Sequence, residues 1–159
     1  MAQTGVKPIP DDMHSITPHL VCEGASAAIE FYKKAFGAEL MFRLDGPDGR
    51  VGHAELQIGD SRLMLAEPCD MGGFSSPEHG KKTSFGMHLY VTDVDAQFKR
   101  AIEAGATVVD DVKDQFYGDR TGSLKDPFGH LWFIATHKED LTPEQIRQRA
   151  MEMFGKAPA

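Results

Sequence analysis

The sequence predicts an α+β protein built from two tandem βαβββ modules and closed by a C-terminal helix. Three observations carry this expectation. A strand-helix-strand pattern is written twice, as LVCEGASAAIEFYKKAFGAEL from Leu20 to Leu40 and as LYVTDVDAQFKRAIEAGATV from Leu89 to Val108. Each copy runs on into further short segments of strand character, separated by turn residues. An apolar stripe at helical spacing then returns near the end of the chain. A repeated supersecondary unit implies two similar modules folded against each other, so a shared cleft between them is where function is sought first.

Residues 1–14 are rich in Pro and Asp, carry no period, and read as a surface-draped arm. The first module, residues 15–67, opens with a strand from Ile16 to Cys22. The helix after it aligns Ile29, Tyr32 and Phe36 on one face, and Gly37 stands where a left-handed cap is wanted. ELMFRL, a GPDG turn, GHAELQI, a two-residue turn at Gly59 and Asp60, and SRLMLAEP complete the module. Residues 68–82 are dense in Gly, Ser and Pro and read as a linker. The second module, residues 83–138, begins with FGMHLYV and continues into a helix with a stripe of Val94, Phe98, Ala101 and Ile102, capped by Gly105. TVVDDV, DRTGSLKD and HLWFIATH are its remaining strands, with Asp126, Pro127 and Gly129 forming a turn. In residues 139–159, Thr142 is an N-cap, Pro143 fits the first helical position and Gln145 closes a capping box. Ile146, Ala150, Met153 and Phe154 give that helix an apolar stripe, expected to pack on the body or on a second subunit.

At 159 residues the chain suits one folding unit of two small halves. A net charge of −7 argues against nucleic acid, which favours a clustered basic surface. No apolar run approaches the roughly 20 residues that span a bilayer, and the start lacks a signal-peptide core, so no membrane partner and a cytoplasmic location are expected. Cys22 and Cys69 have neither metal-ligand spacing nor disulfide density and read as inert thiols.

The segments IEFYKKAFGAEL, GHAELQIGDSRLMLAEP, HLYVTDVDAQFKRAIEAGATV, DQFYGDRTG and DPFGHLWFIATHKEDLTPEQ cover most of residues 15–148. In order and wording they resemble the vicinal oxygen chelate superfamily of glyoxalases, bleomycin-resistance proteins and dioxygenases, and within it the PhnB-like branch. The resemblance implies, in metal-dependent members, four ligands from the first and last strands of each module. Those positions fall on Thr17, Met64, Gly86 and Phe133, none of which is a usual ligand for a hard or borderline cation. The usual metal site is therefore expected to be missing, and no cofactor is expected, with a divalent metal kept open at a displaced site.

Strand alternation sorts the remaining side chains. If the turn pairs Ile58 with Ser61, then His53, Glu55, Gln57, Arg62, Met64 and Ala66 share one face, and Ala54, Leu56, Ile58, Leu63 and Leu65 share the face under the helix. His88 and Tyr90 point with Gly86, His19 points with Thr17, and the repeat makes His19 and His88 equivalents. A displaced metal site would use His19, Glu55 and His88, while acid-base chemistry would use His53, Glu55 and His88. For ligand binding the candidates are His19, Gln57, Arg62, Met64, Tyr90, Tyr117, Arg120 and Phe133, with Arg120 offering forked donors to an anion. Trp132 is expected in the core, and His14, His79, His130 and His137 receive no role. An apolar floor with polar walls suits a small organic molecule.

The leading expectation is a metal-independent protein that sequesters or carries an organic ligand, paired as a homodimer because open sheet edges and an apolar helix need cover. The alternative is an enzyme, a lyase, isomerase or dioxygenase, using the displaced metal or the His/Glu set. A dimeric interaction module with a vestigial cleft is the third reading.

Overall fold

In the computed structural model, residues 5–70 and 72–155 are described. Residues 1–4 of the arm, residue 71 of the expected linker and residues 156–159 of the tail lie outside them. The elements run β1 (His19–Val21), α1 (Ala25–Phe36), β2 (Glu39–Asp45), β3 (Val51–Ile58), β4 (Ser61–Ala66), β5 (Gly86–Tyr90), α2 (Val94–Ala104), β6 (Thr107–Asp114), β7 (Asp119–Lys125), β8 (Leu131–His137) and α3 (Pro143–Phe154). The chain divides after Glu78 into two compact units. Each holds one four-stranded sheet, ordered β1-β4-β3-β2 in the first unit and β5-β8-β7-β6 in the second. The βαβββ expectation is thus met twice. Among the described residues no helix is long and apolar enough to cross a membrane.

In the first unit the hairpin register pairs Ile58 with Ser61, Gln57 with Arg62 and Glu55 with Met64. Ala54, Leu56, Leu63 and Leu65 are buried together with Ala28, Ile29, Tyr32 and Ala35 of α1. Alternation therefore delivers one face to the core and leaves the other, polar one, free of the helix. The first strand is shorter than expected: only His19–Val21 pairs, in parallel with β4, and Ile16 is exposed. Pro18 accounts for this, because it has no N–H for a ladder bond, and its carbonyl instead accepts from the Met64 N–H at 2.9 Å. Helix α1 has Gly24 at its N-cap with no side-chain cap of its own. Glu67, far along the chain, supplies it: its Oε1 accepts from Ala25 N–H at 2.7 Å and its Oε2 from Gly24 N–H at 3.1 Å.

In the second unit β5 runs parallel to β8, pairing His88 with Phe133, and β7 pairs Asp119 with His137 and Ser123 with Phe133. Trp132, Ile134 and Leu124 are buried with Val94, Phe98 and Ala101 of α2. Asp93 caps α2 through Ala96 N–H. Ile102, expected in the stripe, is 40% exposed, so the buried stripe is narrower. The capping box of α3 forms as read, but the helix buries no residue. It meets the rest of the second unit through Phe154 against the Phe116 ring at 5.6 Å and through Arg149 onto Phe116 O and Glu139. Met151 and Met153 stay exposed.

Candidate ligand-binding site

The free face of the first sheet is built row by row. His19 of β1 lies beside Met64 of β4, Met64 beside Glu55 of β3, and Glu55 beside Phe42 of β2. Neighbouring rows add His53, Gln57 and Arg62. His53 Nε2 lies 3.3 Å from Glu55 Oε1. The rings of Phe74, His19, His53 and Phe42 follow one another, with centroid separations of 5.1, 5.7 and 6.3 Å. Burial, and then the neighbouring His53, lowers the His19 pKa below its ordinary value. His19 is therefore a neutral imidazole at neutral pH, able to donate from one nitrogen and accept at the other. Gln57 turns away to donate to Gly59 O at 2.9 Å. Arg62 is buried against this face and pairs with Asp12 of the arm, while Glu55 Oε2 stands 3.9 Å from its Nη1.

The equivalent face of the second sheet carries His88, Tyr90, Phe133, Asp119 and His137. The His88 ring stacks on Phe133 at 6.0 Å and meets Tyr90 at 4.9 Å. Tyr90 Oη donates to Asp119 Oδ2 at 2.7 Å, Asp119 Oδ1 lies 2.7 Å from His137 Nδ1, and His137 Nε2 lies 2.9 Å from Asp140. Burial pushes the Asp119 carboxyl up, but hydrogen bonds from Tyr90 and His137 outweigh it and hold the group below its ordinary value. The hydrogen bond to Asp119, then that to Asp140, raises the His137 pKa. The same Asp119 bond, helped by burial and by Tyr117, raises Tyr90 and keeps its phenol protonated.

Several expected site residues are thus brought together within a unit: His19, His53, Glu55 and Met64 in the first, His88, Tyr90 and Phe133 in the second. Arg120 is not with them. It lies on the face under α2, where its Nε and Nη2 donate to Asp95 at 2.8 Å and its Nη1 to Asp114 at 3.2 Å. The physical reason is the two-residue period of β7: Asp119, Thr121 and Ser123 share the face of Phe133, so Arg120 takes the other. The acid-base set divides, with His53 and Glu55 in the first unit and His88 in the second.

Sequence reasoning missed Phe42, Phe74 and His137. Phe42 follows an irregular register between Leu40 and Phe42, so its face could not be read by alternation. Phe74 lies in a segment without periodicity. His137 was discoverable, since alternation from Phe133 puts it on the same face.

The donor set at the usual metal positions does not fit a cation. Thr17 precedes β1, Met64 and Phe133 present a thioether and a ring, and the Phe133 ring leaves no room at Gly86, where an added Cβ would lie 2.9 Å from Cε2. Among the described residues no group of three or more His, Cys, Asp and Glu side chains is placed to hold a metal ion, and the set His19, Glu55 and His88 divides between the units, with His19 and Glu55 in the first and His88 in the second.

Two βαβββ units with helix-free polar faces are the architecture of a known superfamily. The model of the Glyoxalase/Bleomycin resistance protein/Dioxygenase superfamily matches residues 13–134, and the chain belongs to that family. An uncharacterized protein of Mycobacterium bovis is 44% identical over 144 residues, covering 89% of this chain and 94% of the relative. Another, from Arabidopsis thaliana, is 30% identical over 125 residues and covers 74% of each chain. Among solved structures, TioX from Micromonospora sp. ML1 superposes with a TM-score of 0.61 at 26% identity, covering 81% of this chain and all (100%) of that one. The PhnB protein from Bacillus cereus has a TM-score of 0.61 at 18% identity, covering 77% and 99%, and shares the fold.

Proposed function

We propose that this protein captures a small organic molecule on the helix-free sheet faces without a metal at the family's usual positions. The observation that carries the reading is the composition of the first-sheet face: an apolar centre of Met64 with Phe42 and Phe74, walled by His19, His53, Glu55 and Arg62. Apolar area gives such a site affinity, and a few placed polar groups orient the ligand. A fragment screen by thermal shift, run with chelator present, tests it: hits are expected to stabilise the wild type and to lose that effect in the Phe42→Ala/His53→Ala variant. Hits that stabilise both proteins equally would place the ligand elsewhere.

The His53 to Glu55 contact and the neutral His19 favour a second reading, an acid-base lyase or isomerase. It requires turnover that His53→Ala removes. We further propose that the chain pairs as a homodimer and works in the cytoplasm, with no nucleic acid or membrane partner. Support for pairing comes from the exposed apolar side chains of edge strand β2, Leu40, Met41 and Leu44, and from Met151, Met153 and Phe154 of α3. A sedimentation mass of one chain would refute it.

A further inference from the structure

The face described above contains one buried cation whose hydrogen bonding is incomplete. The Arg62 side chain is only 7% exposed, and its Nε–H has no hydrogen-bond partner among the described residues. Buried donors are nearly always partnered, and a guanidinium is a particularly costly group to leave short. Of its two neighbouring carboxylates, Glu55 stands 3.9 Å from Nη1, too far for a hydrogen bond, and is engaged with His53. Among the described residues the single close partner is Asp12, which accepts from Nη2 with Oδ2. Asp12 belongs to the arm, 50 residues away in sequence, and its own side chain is 63% exposed. The arm around it is held by local contacts, a Lys7 to Asp11 ion pair and a Met13 N–H bond to Pro10 O.

A guanidinium reads a carboxylate best through two parallel bonds, and the Nε and Nη2 edge is one of the two forks available. Asp12 uses one arm of that fork and leaves the other, Nε, without an acceptor. A carboxylate on a ligand could take both. The exchange would be neutral in charge, one carboxylate leaving as another arrives, so the nearby Glu55 does not oppose it. The same sheet face carries the run of rings Phe42, His53, His19 and Phe74, with Glu55 standing between His53 and Arg62, and these rings offer faces to a planar group.

We propose that Arg62 is the anion-recognition residue of this site, taking the carboxylate of an aromatic organic acid through Nε and Nη2, and that Asp12 holds that place until the ligand displaces it. The proposal rests on the reading of this face as a ligand site and adds the chemical class of the ligand. It also assigns the arm a role as a built-in competitor.

The test is titration of the full chain with benzoate and with the neutral isostere benzamide, followed by calorimetry and by the NMR signal of the Arg62 side-chain Nε–H. Benzoate is expected to bind more tightly than benzamide and to move the Nε–H signal downfield. Asp12→Asn, a change at an exposed side chain of the arm, is expected to tighten benzoate about tenfold, as loss of one charge-assisted competitor would. Arg62→Lys is expected to weaken benzoate at least about tenfold, since Lys lacks the fork. Equal affinity of benzoate in wild type and Asp12→Asn would overturn the proposal whether or not the Arg62 variant folds. Benzamide and benzoate binding alike, with shifts on His53 and Phe42 but none on Arg62, would overturn it while leaving the face as a ligand site. Binding of neither probe, together with an empty fragment screen, would overturn both.

Discussion

Replacing Asp126 by alanine should unseat the last strand of the second unit. Asp126 is 4% exposed, and its carboxylate accepts from Phe128 N–H at 2.9 Å, His130 N–H at 3.0 Å and the Trp132 indole Nε1–H at 2.9 Å. The two turn amides are partly buried and can regain water, whereas the indole N–H is buried with a ring that packs beneath α2. A buried donor left without an acceptor costs about 1–3 kcal/mol, and one lost to a charged partner lies at the upper end. Counting the indole in full and each amide in part gives a loss of about 3–5 kcal/mol, a large share of the roughly 5–15 kcal/mol that stabilises a typical domain. At about 2–4 °C per kcal/mol for a chain of this size, the midpoint should fall by roughly 6–20 °C. The chain has one tryptophan, so urea unfolding followed by Trp132 fluorescence reports on this strand directly. The consequence reaches the site because Phe133 is the next residue of the same strand and faces the opposite way from Trp132. A variant within about 1 kcal/mol of wild type at unchanged m-value would refute the argument.

Three further expectations follow from single contacts. Glu67→Ala removes the acceptor for Gly24 and Ala25 N–H and the partner of Arg50 at 3.0 Å, and urea unfolding should show a loss of about 1–2 kcal/mol, the range of a helix cap. For His137, whose folded pKa is raised above the unfolded value by Asp119 and Asp140, the stabilising increment is fully present below the unfolded pKa and is lost as pH rises through the folded one. The stability gap between wild type and His137→Gln should therefore shrink from mildly acidic to alkaline pH, and Asp119→Asn should lower the His137 titration midpoint seen by NMR; a gap that widens with pH would contradict this. Gly86→Ala places a Cβ 2.9 Å from Phe133 Cε2, so the Phe133 ring must rotate, and the ring-current shifts of its stacking partner His88 should change; unchanged His88 resonances would contradict the packing described.

How much of this was legible in the sequence depends on the range of the contact. The two-residue period placed His53, Glu55, Gln57 and Arg62 opposite Leu56 and Leu63, and the realised pairing of Ile58 with Ser61 confirms the turn on which that rested. The caps of Thr142 and Gly37 are local chemistry and were readable for the same reason. What escaped was set by chain segments meeting across the fold. Glu67 capping α1, Asp12 meeting Arg62 and Asp119 bridging Tyr90 to His137 join residues 43, 50, 29 and 18 positions apart, and no period encodes them. Arg120, expected among the ligand-binding residues for its forked donors, sits on the opposite face because the strand beginning at Asp119 alternates from its first residue.

Binding that needs no metal is the central expectation for this protein. The deciding measurement is the metal content per protomer of protein purified without chelator, made alongside titration of a confirmed ligand with and without chelator. Substoichiometric metal and an affinity unchanged by chelation are the predicted results, since Thr17, Met64, Gly86 and Phe133 offer no usual donor set. About one ion per protomer, with binding abolished on its removal, would contradict it.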